Sequence, residues 1–240
     1  MNQVILYLKL LGNLLWMMFC CVVGLVMCIF RWGDPRLSRD FARFYSWGTL
    51  KISGLKVEIR GLDILDAGRP AVLVANHQSA LDMATFGALY PENTVLIGKK
   101  EIRWIPLFGW FYMASGNIMI DRKKSRRAIE VLREVADEIK RRHASVWIFP
   151  EGTRNRLGEG MLPFKKGAFH MAIQAQVPVL PMVSSNLTPI VSWPQKRFSS
   201  GRVVIQILPP ISTAGMTLAD VDRLSDQVRS RMIEALRSLS

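Results

Sequence analysis

Two short runs carry the residues of this chain best suited to chemistry, and each follows directly on an apolar stretch. In "VANHQSALD", Val74 to Asp82, an Asn, a His and an Asp leave what reads as a buried strand. An imidazole can take and return a proton near neutral pH, and a carboxylate on its second ring nitrogen fixes the tautomer. Such a pair is suited to activating a weak nucleophile. His77 and Asp82 are five residues apart, about 140° around a regular helix, so they meet only with His77 in the loop and Asp82 in the turn after it. The same stretch also reads as a capping box, with Ser79 as N-cap and Asp82 bonding back to the backbone. The nonapeptide alone leaves both readings open.

The second run is "IFPEGTRNR", Ile148 to Arg156. Pro150 and Gly152 break a strand there, and Glu151, Thr153 and Arg154 bring a carboxylate, a hydroxyl and a guanidinium to one edge. The planar fork of Arg154 suits phosphate, although Glu151 and Arg154 could equally pair in a surface turn. Between the two runs, Lys99, Lys100 and Arg122 fall near strand ends around an apolar aromatic stretch. Arg122, Lys123, Lys124, Arg126 and Arg127 form a basic cluster fit for anionic lipid. His143 ends a basic helix and His170 sits on an apolar helix face, positions that read as solvent and packing.

The elements that must position these residues begin near Lys56. "KVEIRG", "AVLVAN", "TVLIGK", "NIMIDR", "SVWIFP", "VPVLPMV" and "RVVIQIL" read as strands. Helical stretches alternate with them: "ALDMATFGALY", "SRRAIEVLREVADEIKRRHA", "FKKGAFHMAIQAQ" and "TLADVDRLSDQVRSRMIEALRSL", with Ser125 and Thr217 as N-caps. This alternation predicts a single α/β domain, residues 55–240, with a mostly parallel twisted sheet flanked by helices and the site at the strand carboxyl ends. Pro178 and Pro181 are expected to bend a strand at the sheet edge.

Residues 1–54 read as an N-terminal membrane-associated helical segment. Leu10 to Phe30 runs 21 residues without a charge, about 30 Å as a helix and enough to span a hydrocarbon core. Gly12, Asn13 and Gly24 equally permit a bent helix pair dipping into one leaflet. Leu37, Phe41, Phe44 and Tyr45 recur at helical spacing among basic residues, as in a helix lying in the membrane interface. Arg31, Arg36, Arg39, Arg43 and Lys51 follow the apolar run, which favours a cytoplasmic carboxyl side.

With 32 Lys and Arg against 19 Asp and Glu, the net charge is +13, fitting an anionic partner: nucleic acid, acidic lipid or a phosphorylated substrate. All three cysteines lie at or before residue 28. The α/β part therefore has no disulfide framework, no cysteine-based zinc site and no thiol nucleophile. Three widely spaced histidines offer no recognisable ligand set for a metal-dependent phosphohydrolase. A non-catalytic binder of anionic lipid would explain the charge but not the gathering of His, Asp, Glu and Arg at strand ends.

Taken in order, "NHQSALD", "GKKEIRWIPLFGW" with "GNIMIDR", "FPEGTRNR", "LPFKKGAFHMA" and "VPVLPMV" resemble the glycerolipid acyltransferase family over roughly Leu55 to the C-terminus. The resemblance implies transfer of a fatty acyl chain from an acyl-CoA or acyl-carrier-protein thioester to the free hydroxyl of lysophosphatidate, or of another lysophospholipid or hydroxylated lipid. It implies His77 as base and Asp82 as its partner, with direct transfer instead of an acyl-enzyme on Ser79 or Thr153. Lys100, Arg122, Glu151, Gly152, Thr153 and Arg154 would form the acceptor site, with Arg154 on the phosphate and Glu151 orienting either Arg154 or the loop. Lys165 and Lys166 would face phosphate or carrier. No metal or other cofactor and no nucleic acid is implied, anionic membrane lipids are, and the expected location is the cytoplasmic face of the inner membrane.

Overall fold

The computed structural model describes residues 3–120, 125–155, 160–192 and 194–239, with the backbone alone at 125–130 and 138. Two long helices come first, α1 (Gln3–Phe30) and α2 (Leu37–Ser53), then β1 (Leu55–Arg60), α3 (Leu62–Ala67), β2 (Val72–Ala75) and α4 (Asp82–Thr85). Next come β3 (Thr94–Lys99), α5 (Phe108–Ala114), β4 (Ile118–Ile120), α6 (Ser125–Arg142), β5 (Ser145–Ile148) and α7 (Gly167–Ala175). β6 (Val179–Ser184), β7 (Val191–Ser192), β8 (Arg197–Phe198), β9 (Gly201–Ile207) and α8 (Val221–Ser238) complete the described order. Short 3-10 turns occupy Phe86–Leu89, Lys100–Trp104 and Leu218–Asp220.

Among the described residues, seven strands form one sheet in the order β1-β9-β6-β2-β5-β3-β4. Every pairing in it is parallel except β6 with β9, so the architecture is the mostly parallel α/β sheet read from the sequence. β2, β5 and β6 are buried along their whole length, as strands covered on both faces must be. Alternation along β2 divides the core: Val72 and Val74 pack with Leu132, Phe169 and Leu224 of α6, α7 and α8. Leu73 and Ala75 face the opposite layer, with Leu65, Phe86 and Leu89.

Several local expectations change. Pro181 lies in a central strand, not at an edge: β6 sits between β9 and β2. Pro181 O accepts the Leu208 N–H at 2.9 Å just past the end of β9, so the missing proline donor leaves only a terminal ladder bond unmade. The helix expected over "ALDMATFGALY" is α4 followed by a 3-10 turn. α2 crosses close beside it, and a Cβ on Gly87 would meet Ala42 O at 2.9 Å. Asp220 accepts the Thr217 N–H at 2.8 Å, closing the expected cap before α8. The cap expected at Ser125 and the basic cluster at Arg122, Lys123, Lys124, Arg126 and Arg127 lie outside the described side chains.

α1 is one continuous helix, long and apolar enough to cross a membrane. It does not stand away from the domain. Lys9 Nζ donates to Ser53 O at 2.7 Å and to Phe198 O at 3.3 Å, and Trp16 Nε1 donates to Tyr45 O at 3.0 Å. Cys20 and Cys28 are buried with Phe41 and Phe111. Leu37 and Phe41, read as a membrane-interface stripe, are buried here, because α1 and α5 cover that face of α2. The opposite face of α1, from Val4 through Leu15 and Phe19 to Phe30, is exposed.

Candidate active site

β2 and β5 pair in parallel with Val74 beside Ile148, so the two reactive runs leave the sheet side by side at its carboxyl edge. His77 Nδ1 lies 2.7 Å from Asp82 Oδ2, the His side chain 16% exposed and the Asp fully buried. The same Oδ2 accepts the N–H of Gln78 at 2.6 Å and of Ser79 at 2.9 Å. Both readings of the nonapeptide therefore hold at one atom: Asp82 gathers the backbone donors of the turn and orients the imidazole. Ser79 takes only part of the expected box, its Oγ accepting the Leu81 N–H at 3.2 Å.

Flanking amides pin the histidine from both sides. Asn76 donates to Ser184 O at 3.0 Å and accepts the Ser184 N–H at 2.8 Å. Gln78 donates to Ser184 O and Ser185 O at 3.1 and 3.2 Å and accepts the Leu187 N–H at 3.2 Å. The sequence reading gave these two residues no role. Their signal was the symmetry of "NHQ", two amides that can each answer a backbone donor and acceptor.

Glu151 is 2% exposed. Its Oε1 accepts the His77 N–H at 2.7 Å and its Oε2 the Leu162 N–H at 2.9 Å. Burial pushes its carboxyl above the usual range, against the downward pull of those two bonds. Of the roles open to Glu151 within the acceptor-site loop, these bonds are those of orienting the loop of His77. The Asn155 N–H holds His77 O at 2.7 Å, so this loop grips both backbone groups of the histidine. A second brace comes from α8: Arg229 donates to Met161 O at 2.7 Å and to Leu162 O at 3.3 Å. Phe149 stacks on the His77 ring, centroids 4.2 Å apart and planes 20° from parallel.

In front of His77 opens a cavity of about 560 Å³. Its wall is largely apolar, from Met17 and Cys21 of α1 past Phe41 and Tyr45 of α2 to Ile102 and Phe108. Gly152, Thr153 and Arg154 line the mouth with His77. Thr153 and Arg154 are exposed, and Gly152 turns the loop at φ 72°, a conformation that favours glycine. Lys99 lines the cavity; Lys100, the expected ligand, opens the following 3-10 turn half-buried. Arg122 lies outside the described residues. Lys166 pairs with Asp222 at 2.6 Å, and the Lys165 N–H donates to Pro150 O at 2.7 Å. His143 follows α6, exposed at φ 49°, and burial pulls the half-buried His170 below its usual pKa. Among the described residues, no group of three His, Cys, Asp or Glu side chains could hold a metal ion.

A histidine–carboxylate pair at the mouth of an apolar cavity, with cations beside it, can activate a hydroxyl against an acyl donor. Comparison with known proteins agrees. A family model described as Acyltransferase matches residues 56–185. The chain is 39% identical over 226 residues to the mouse 1-acyl-sn-glycerol-3-phosphate acyltransferase alpha, covering 94% of this chain and 79% of that protein. It is 37% identical over 233 residues to the Escherichia coli 1-acyl-sn-glycerol-3-phosphate acyltransferase, covering 96% and 93%. The fold matches the crystal structure of the Thermotoga maritima 1-acyl-sn-glycerophosphate (LPA) acyltransferase PlsC, with a TM-score of 0.69 at 24% identity over 95% of this chain and 98% of that one. On the family match and these identities, this chain is a member of the acyltransferase family.

Proposed function

We propose that the protein moves a fatty acyl chain from an acyl-CoA or acyl-carrier-protein thioester to the sn-2 hydroxyl of 1-acyl-sn-glycerol-3-phosphate, giving phosphatidic acid. The observation that carries this reading is the His77–Asp82 pair at the mouth of an apolar cavity shared between α1, α2 and the sheet edge. The names of the relatives support the acceptor. With Nδ1–H donated to Asp82, Nε2 keeps its lone pair for the acceptor hydroxyl. As the oxygen attacks the thioester carbonyl its proton passes to Nε2. The C–S bond then breaks, the new ester C–O bond remains, and Nε2 returns the proton to the leaving thiolate. Asp82 stabilises the imidazolium between these steps, and Phe149 offers it a ring face.

Arg154 is assigned to the acceptor phosphate, assisted by Lys99, while Gly152 and Thr153 shape the mouth. Lys100 and Arg122 are assigned as outer cations on the same phosphate. The scheme draws on no metal or other cofactor, and activity retained in the presence of a chelator checks that. The exposed face of α1 is assigned to the membrane. Because α1 is packed along the domain by Lys9, Trp16 and Gly24, dipping into one leaflet fits better than a crossing that would draw the domain into the bilayer. The cations following α1 favour the cytoplasmic face of the inner membrane, with anionic lipid beside it.

The test is a panel of lysolipid acceptors offered with both thioester donors to the purified protein and to His77→Ala. Transfer should require a phosphate-bearing acceptor and fall at least about a hundredfold in the variant, the scale of general-base loss. Near-normal turnover in His77→Ala would remove the mechanism. Equal rates on acceptors lacking the phosphate would remove the substrate assignment.

A further inference from the structure

Among the described residues, eight large hydrophobic side chains outside α1 are exposed, and four of them fall within ten residues: Trp104, Ile105, Trp110 and Met113. The two indoles are 73% and 55% exposed, far from the high burial usual for tryptophan. We infer that this segment, from the 3-10 turn through α5, is a second membrane-contact element that seats in the same leaflet as α1. The inference rests on the membrane contact proposed for α1.

Continuity selects a lipid leaflet as the occupant. Gly24 of α1 lies so close to α5 that a Cβ there would meet the Phe111 ring at 2.7 Å. α1 and α5 are therefore packed directly together, and each keeps an exposed apolar side. The two elements also share one cavity, Met17 and Cys21 lining it from α1 and Ile102, Ile105 and Phe108 from this segment. Arg103 stands over the Trp104 ring, 4.6 Å from guanidinium carbon to centroid. A cation held on an exposed indole suits the boundary between headgroups and acyl chains, where Trp and Arg each keep a polar end wet.

The backbone presents the patch through a tight, strained turn. The Phe108 N–H donates to Pro106 O at 2.7 Å, closing a γ-turn about Leu107 at φ 62° and ψ −55°. That conformation is rare and costly for a leucine. Gly109 meets the carbonyls of Ile102 and Arg103 so closely that a Cβ there would overlap them. Seated in the leaflet, the segment sets the cavity wall of Ile105 and Phe108 against hydrocarbon, so that a lysolipid enters with its chain never crossing water.

The test uses the full chain on vesicles of phosphatidylcholine and phosphatidylglycerol. A polarity-sensitive thiol label is placed at Trp110→Cys or, as reference, at Ile29→Cys in the exposed end of α1; Cys20, Cys21 and Cys28 are buried. Lipids brominated in the acyl chain should quench the label at 110 at least roughly half as much as at 29, and vesicles should shield it from aqueous iodide at least about threefold. Quenching at 29 with none at 110 overturns this inference and leaves the α1 reading standing. No quenching at either site overturns both. Iodide shielding at 110 without lipid quenching, together with a doubled mass, would assign the patch to a second copy instead. In Trp104→Ser/Trp110→Ser, turnover on vesicle-embedded lysophosphatidate should fall about tenfold while a short-chain, water-dissolved acceptor reacts within about twofold of normal. Equal loss on both acceptors also overturns it.

Discussion

Glu151 sets burial against hydrogen bonding at a single carboxylate. Each N–H bond to an ionised oxygen contributes about 1.5–3 kcal/mol, yet the carboxyl is held above its ordinary 4.5, with burial the largest cause. A folded value above the unfolded one means that this group's contribution is fully present below pH 4.5 and is lost as pH rises through the folded value. Glu151→Gln removes that dependence. It keeps an oxygen for the His77 N–H but sets an amide against the Leu162 N–H, at about 1–3 kcal/mol. Thermal melts at stepped pH should therefore show the stability advantage of the natural protein over Glu151→Gln shrinking as pH rises from 4.5. An advantage that grows with pH would mean the two backbone bonds outweigh burial. Turnover in the variant should drop because His77 loses part of its brace, with donor and acceptor constants nearly unchanged.

Close helix contact at α1 and α2 depends on residues without side chains. A Cβ on Gly48 would overlap the Trp16 ring, whereas one on Gly12 meets only Ile52 at 3.1 Å. Alanine favours a helix interior over glycine by about 1 kcal/mol, so Gly12→Ala should leave the melting temperature level or raise it. Gly48→Ala should lower it despite the same propensity gain, since displacing a packed indole costs about 1–3 kcal/mol. Differential scanning of the two variants checks the pair. Equal shifts would mean that α1 is not seated against α2 as described. The contact bears on function because Phe41 and Tyr45 of α2 face both this packing and the cavity.

At the scale of the whole molecule, α1 is at once a wall of the cavity and, among the described residues, the element with the most exposed large hydrophobic side chains. Those roles lie on different faces and separate by substitution. Leu11, Leu15, Val22 and Val26 lie on the exposed side and recur at helical spacing. Changing all four to Gln should leave the α1–α2 packing in place and weaken membrane attachment. The residual binding should come from the basic surface and disappear as salt rises, because screening reaches about 10 Å at 0.1 M. Vesicle flotation at low and high salt measures this. Attachment that stays salt-resistant would remove the membrane role of that face.

Much of this was legible in the chain alone. Apolar runs of strand length alternating with amphipathic helices determined the α/β class and the mostly parallel sheet, because covered strands carry no polar face. The two motifs at strand ends pointed to His77, Asp82 and the loop holding Arg154, but their residue types alone left a helix cap and a surface ion pair open, and only the resemblance in the order of the motifs assigned the roles. Tertiary structure decided which partner each face meets. Periodicity marked the stripe of Leu37 and Phe41 but not whether lipid or α1 covers it. Pro181 read as an edge residue because the order of strands in a sheet is not written along any one of them. Glu151 and His77, 74 positions apart, share a hydrogen bond only because β2 and β5 are neighbours in register. That contact, unlike a helical period or a cap, has no local trace, so the sequence put Glu151 in the acceptor loop without showing that it holds the backbone of His77.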